Sequence, residues 1–162
     1  MTEEKNPLQF VEIFKSLKYE KQLNIKGAMI GAGNLYEACE KKIQQYGLQE
    51  NLKMLGFQEN PYKYMATSKV LCMPSKWEGF GLVALEAMSL GCPVVASSVG
   101  GLQDIVTEES GKKCQSHAEY VEEIAKLLTD EVYYSTKSQG ARKRADSYDN
   151  LEEYIGKIVK IY

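Results

Sequence analysis

Histidine occurs once in the 162 residues, and none of the four cysteines stands in a C-x-x-C pair. With His117 alone, Ser-His and Cys-His catalysis would both have to use that residue, and no activated-nucleophile motif accompanies it. The cysteine spacing argues against a zinc site or a thioredoxin-like motif. No D-x-D pair and no histidine–carboxylate cluster at ligand spacing appears, so a metal-held phosphate clamp lacks its ligands. No apolar run is long enough to span a bilayer, and no secretory leader is recognisable. A net charge of −2 gives no support for nucleic-acid binding through a basic surface. Internal repeats and low-complexity segments are also missing.

What remains is a chain of ordinary globular composition, sized for one domain over 1–162 with a proper core. Cys72 and Cys92 lie in or beside apolar stretches and read as small core residues. Unpaired cysteines suit a reducing, cytoplasmic setting. Contact with the inner face of a membrane stays open.

The chain is organised around Val70 to Val106. A buried strand (Val70 to Met73) leads into the loop Ser75-Lys76-Trp77-Glu78-Gly79-Phe80-Gly81, then a helix from Leu82 to Leu90. A second buried strand (Pro93 to Ala96) and the glycine loop Gly100-Gly101 follow. A loop that opens a helix at the carboxyl end of a strand presents free N–H groups and the positive end of the helix dipole. Phosphate is the usual ligand of such a place. Glu78 precedes this anion site and Glu86 lies just within the helix. A glycosidase needs its two carboxylates facing each other roughly 5 to 9 Å apart. If both were helical, these two would be separated by about 12 Å of rise. One carboxylate held by a loop and one by a helix, flanking a row of amides, instead suits a ligand with hydroxyls at both ends and phosphate in the middle. The plainer alternative is two glutamates favoured only by the dipole.

Asn6-Pro7 starts the first helix, with Phe10, Val11, Phe14 and Leu17 on its apolar face. A strand at Leu23 to Ile30 runs into Gly31-Ala32-Gly33-Asn34 and a helix to about Tyr46, with Asn34 and Glu37 as the expected N-cap pair. This is not a dinucleotide fingerprint, because Tyr36 replaces the third glycine and no acidic residue closes a strand about twenty residues on. A strand at Leu52 to Phe57 and a short helix after Asn60-Pro61 come next. Helices are expected from Ala118 to Leu128, from Glu131 to about Ser147 and from Leu151 to Ile161, the first opened by a Ser116–Glu119 capping box and the last by Asp149 with Glu152. Arg142-Lys143-Arg144 reads as a solvated helix face, with an acidic membrane surface as the runner-up. Alternating strands and helices, with strands as continuous apolar runs, predict an α/β fold: a doubly wound parallel sheet covered on both faces. Every glycine loop named above then falls at a strand's carboxyl end, where such sheets bind ligands.

Glu78 to Glu86, with Gly79-Phe80-Gly81-Leu82-Val83 between, resembles the E-x7-E signature of retaining GT-B glycosyltransferases of family 4. The resemblance continues through Glu86-Ala87-Met88, Gly91-x-Pro93-Val94-Val95-Ala96 and Gly100-Gly101-x-x-x-Ile105-Val106, and covers nearly the whole chain. It implies the Rossmann-like, donor-binding C-terminal half of a GT-B enzyme. It also implies a first strand ending in Gly-Arg ahead of Met1, so the chain is expected to be a piece lacking that strand, its arginine and the acceptor domain. Lys5 matches the family's diphosphate-binding lysine, while the arginine has no counterpart. The resemblance assigns the amides of Gly79, Phe80, Gly81, Leu82 and Val83, together with Lys5, to the diphosphate. Glu86 goes to the ribose hydroxyls and Glu78 to the donor sugar. Gly56, Phe57, Gln58 and Lys63 go to the base, with Gly31 and Gly33 near the ligand. The implied partner is a UDP- or GDP-sugar, bound without metal or other cofactor, for transfer to an acceptor in glycan or polysaccharide synthesis. A catalytically inactive binding module and a GT-B-like nucleotide-sugar epimerase are the alternatives.

Overall fold

The computed structural model describes residues 1–148; the predicted Leu151 to Ile161 helix and its Asp149–Glu152 cap lie outside them. A single 3-10 turn at Glu3–Lys5 precedes α1 (Pro7–Tyr19). Then come β1 (Gly27–Ile30), α2 (Tyr36–Gln45), β2 (Leu52–Gly56), α3 (Tyr62–Thr67), β3 (Leu71–Met73), α4 (Leu82–Ser89), β4 (Val94–Ser97), α5 (Leu102–Ile105), β5 (Gly111–Cys114), α6 (His117–Thr129) and α7 (Glu131–Asp146). Strands and helices alternate as the apolar pattern requires, and every strand pair is parallel.

The strands form two sheets rather than one. β1 pairs with β2, and β4 stands between β3 and β5. β1 and β3 each keep one edge without a strand partner among the described residues. One more strand between them would give the β2-β1-x-β3-β4-β5 order of a doubly wound sheet. Here α1 joins the two sheets: Val11 and Phe14 pack with Met29 and Leu52, while Ile13 and Leu17 pack with Val95 and α6.

Both faces of the three-stranded sheet are covered, which is why β3 and Val94 to Ala96 of β4 are apolar, whereas the edge strand β5 carries Lys112 and Lys113. Val94 and Ala96 face α4, α5 and Ala141 of α7, whereas Val95 and Cys114 face α1 and α6. α4 buries Ala84, Leu85, Ala87 and Met88, so its position on the sheet is fixed by core packing. Truncating Met88, fully buried, would cost ~2–5 kcal/mol.

Local details depart from the sequence pattern. Leu23 to Lys26 lies outside β1, which starts at Gly27. α2 starts after Leu35, with no side-chain cap, so Asn34 does not cap it. Ser116 does accept from the Glu119 N–H, and Glu119 reaches back to Gln115 N–H at 2.7 Å. His117 is half-buried: its ring nitrogens meet Gln9 Nε2 at 3.2 Å and Ser16 Oγ at 2.9 Å, tying α6 to α1.

The triplet on α7 does more than face solvent: Arg142 and Lys143 are exposed and Arg144 is half-buried, yet both arginines also bind backbone. Arg142 donates to the carbonyls of Ser89 (3.3 Å) and Leu90 (3.0 Å), and Ser138 donates to that of Gly91 (2.7 Å). Arg144 donates to the carbonyls of Ile105 (3.1 Å) and Asp104. These carbonyls belong to the ends of α4 and α5, which lack further turns to receive them. Two of the three cations are therefore spent on holding α4 and α5 in place.

Candidate functional site

The site lies at the carboxyl ends of the strands and is assembled from four loops. Two of them meet beyond β1 and β2, where Gly31 N–H donates to the Gly56 carbonyl at 2.7 Å. The other two meet beyond β3 and β4, where Gly101 N–H donates to the Gly79 carbonyl at 2.8 Å. The contact at Gly100 requires glycine: its φ is +48°, and a methyl group there would collide with the Glu78 carbonyl.

The N-terminal segment ties the two pairs together. The Met1 nitrogen donates to Ala32, and the Met1 carbonyl accepts from Leu35 N–H at 3.1 Å. Further along, the Glu4 carbonyl accepts from Lys76 N–H (2.7 Å) and Trp77 N–H (3.3 Å). Gly33 thus has Met1 backbone against it, where a side chain would clash. Its place near a ligand was the expectation; its observed neighbour is this segment.

Lys5 and Glu78, predicted 73 residues apart in sequence, are in direct contact. Lys5 Nζ donates to both Glu78 carboxylate oxygens at 2.7 Å. Glu78 is buried, whereas the Lys5 side chain is half exposed. A buried carboxylate needs such a partner, since an isolated one loses its hydration with nothing in return.

Gly81 turns the chain into α4 with φ +69°. The N–H groups of Gly79, Phe80, Gly81, Leu82 and Val83 donate to no group among the described residues. Ala84 N–H is the next amide along and is already bonded to the Gly81 carbonyl. Five consecutive free donors at a helix start, beside an exposed cation, make a place for a polyanion. Around them Trp77, Phe80, Leu82 and Val83 are exposed.

Glu86 sits in the second turn of α4, half-buried, on the face away from the core. Its one side-chain partner among the described residues is Tyr62, whose hydroxyl donates to Oε1 at 3.3 Å. The Glu86 charge, then that hydrogen bond, hold the phenol pKa above its ordinary value. Tyr62 was not singled out in the sequence. It lies 24 residues from Glu86 on another helix, and no local pattern signals that pairing.

The base-side residues divide. Phe57 is 76% exposed, and nothing lies within 4 Å of where a Gly56 side chain would begin. Gln58 instead turns inward, its Nε2 donating to Leu55 carbonyl (2.7 Å) and its Oε1 accepting from Tyr64 (3.3 Å). The Lys63 ammonium lies over the Tyr64 ring at 4.9 Å. Among the described residues, no group of three His, Cys, Asp or Glu side chains could hold a metal, and no helix is long and apolar enough to cross a membrane.

Comparison with known proteins follows the same outline. The family described as glycosyl transferases group 1 matches residues 1–146. An uncharacterized glycosyltransferase of Methanocaldococcus jannaschii is 40% identical over 88 residues, which is 53% of this chain and 23% of that protein. The poly(glycerol-phosphate) alpha-glucosyltransferase of Bacillus subtilis is 31% identical over 148 residues, 89% of this chain and 22% of that one. Among solved structures, HepE of Anabaena in complex with UDP-glucose superposes with a TM-score of 0.83 at 21% identity, over 100% of this chain and 47% of the other. TarM of S. aureus, in a complex that includes UDP, gives 0.84 at 23% identity, over 96% and 33%. These superpositions show the fold, a Rossmann-like domain of the GT-B kind. The chain spans less than half the length of each of these proteins.

Proposed function

The chain belongs to the glycosyl transferases group 1, and from that premise we propose that it is the donor-binding half of a retaining, family 4 enzyme using a UDP- or GDP-sugar. The observation that carries this reading is the row of five free amides between the Lys5–Glu78 pair and Glu86. Relatives named for sugar transfer, and neighbours solved with UDP or UDP-glucose, support it.

In this reading the diphosphate lies along the amides of Gly79 to Val83 at the start of α4. Lys5 turns from Glu78 to the phosphates. As the bond from the anomeric carbon to the diphosphate oxygen breaks, its electron pair stays on the diphosphate. The amides, the helix dipole and the ammonium stabilise that charge where it develops. Glu78 holds hydroxyls of the donor sugar and faces the positive charge growing at the anomeric carbon. An acceptor hydroxyl forms the new bond, and retention brings it in on the face the diphosphate leaves. Its proton is then within reach of the departing oxygen. Glu86 accepts from the ribose 2′- and 3′-hydroxyls, and Phe57 offers an exposed ring beside the open space at Gly56. The acceptor domain belongs to the rest of a longer protein, working in the cytoplasm or at the inner membrane face on glycan or polysaccharide assembly. By itself this half binds donor and does not turn it over.

Calorimetric titration with UDP, GDP and their sugars, with and without EDTA, tests the reading. One nucleoside diphosphate binds, EDTA leaves its affinity unchanged, and Glu86→Ala weakens it about 10- to 100-fold, the range for a hydrogen bond to a charged acceptor. No binding of either nucleotide, or an unchanged affinity in Glu86→Ala, overturns it.

A further inference from the structure

We infer that Tyr62 is a positioning residue: its hydroxyl sets the plane of the Glu86 carboxylate so that both oxygens address a vicinal diol, and it thereby determines selectivity for ribose over deoxyribose. This rests on the donor-site reading above and adds to it a residue from the other half of the fold.

The geometry is one long hydrogen bond between two helices. Glu86 points away from the packed face of α4 and has rotatable torsions out to its carboxylate, so nothing on its own helix fixes it. Tyr62 supplies the missing constraint from α3. Its hydroxyl reaches Oε1 at 3.3 Å, and Oε2 has no partner among the described residues. An ionised carboxylate offers about four acceptor sites, so one phenol leaves both oxygens able to accept again. Tyr62 is itself held at the start of α3, where its N–H donates to Asn60 Oδ1 at 3.2 Å. Phenol ionisation is further disfavoured beside Glu86, first by its charge and then by the hydrogen bond.

Position matters as much as contact. α3 follows β2, whose loop carries Gly56 and Phe57, while α4 follows β3. The Tyr62–Glu86 bond therefore links the loop assigned to the base with the residue assigned to the ribose. Tyr62 is also 47% exposed, so the residue is within reach of an arriving nucleoside.

The test is a selectivity ratio, which a merely structural role would not move. Wild type, Tyr62→Phe, Glu86→Ala and the double variant are titrated with UDP, GDP and the 2′,3′-dideoxy analogue of whichever binds. Tyr62→Phe keeps the ring and removes one oxygen. We expect it to weaken the ribose nucleotide about five- to tenfold and leave the dideoxy analogue unchanged. Glu86→Ala abolishes the preference, and adding Tyr62→Phe to it changes nothing further. Equal weakening of both ligands by Tyr62→Phe, or an unchanged ratio, overturns the positioning role and leaves the ribose assignment standing. A full preference retained in Glu86→Ala overturns the ribose assignment, and this inference with it. Failure of wild type to bind either nucleotide overturns the donor-site reading itself.

Discussion

Replacing Lys5 and replacing Glu78 have unequal consequences for stability, because the two residues are not equally exposed. Lys5 Nζ bonds both oxygens of Glu78 at 2.7 Å. The Glu78 side chain is 10% exposed and the lysine side chain 50%. Lys5→Met leaves a buried carboxylate unpaired. Removing one partner of a fully buried pair costs ~3–5 kcal/mol. Water on the lysine side reduces this to ~1–3 kcal/mol, still above the ~0–1 kcal/mol of a surface pair. For a domain of this size that is a melting temperature lower by roughly 3–10 °C. Glu78→Gln removes the buried charge, keeps an oxygen to accept from Lys5, and should cost less than about 1 kcal/mol. It also releases most of the hold on Lys5, so bare UDP or GDP should bind more tightly than to wild type. Thermal unfolding of the three proteins, followed by calorimetry on the two that melt alike, measures both effects. If Lys5→Met melts with wild type, or Glu78→Gln is destabilised as much as Lys5→Met, the assignment of burial to one partner is wrong.

Arg142→Ala should lower stability by about 1–2 kcal/mol, because it uncovers the Ser89 and Leu90 carbonyls. Lys143→Ala, next to it, should stay within about 0.5 kcal/mol; equal losses in urea titrations would mean that bulk surface charge is at work. Burial pushes the Cys92 and Cys114 thiols up to about 12 from the ordinary 9.0, so the folded chain holds those protons more tightly than the unfolded one. Their contribution to stability is thus complete below about pH 9 and is lost as pH rises toward about 12. These two thiols should lower the denaturation midpoint on the alkaline side, and an aromatic disulfide reagent at pH 8 should label neither thiol until the chain unfolds.

Much of the fold was legible because its causes are local. Continuous apolar runs such as Val94-Val95-Ala96 mark strands covered on both faces, and Pro7 marked where the first helix begins. The turn that opens α4 was legible for the same reason, since Gly81 and the helix start are neighbours in sequence. What could not be read depends on partners far along the chain. Arg142 does face solvent, but the carbonyls at the ends of α4 and α5 that it and Arg144 bind could not be read. Asn34 could have capped α2, but the strand-to-helix turn carries the helix start to Leu35 and Tyr36, against the Met1 backbone. Composition within ten residues says nothing about any of these.

The two glutamates of the proposed site differ in what a ligand must displace. Tyr62 occupies one site on Glu86 and leaves the other oxygen free, so ribose hydroxyls can add without breaking that bond. Glu78 has both oxygens on Lys5, so a diphosphate that draws the ammonium away strands a buried carboxylate. A bare nucleoside diphosphate offers Glu78 nothing in exchange, and part of what Lys5 gains on the phosphates is lost there. An intact sugar nucleotide brings hydroxyl donors to the same carboxylate and restores its hydrogen bonds. Under the proposed function the ion pair therefore penalises the diphosphate product relative to the sugar nucleotide, and Glu78→Gln should tighten bare UDP while weakening the discrimination in favour of the UDP-sugar.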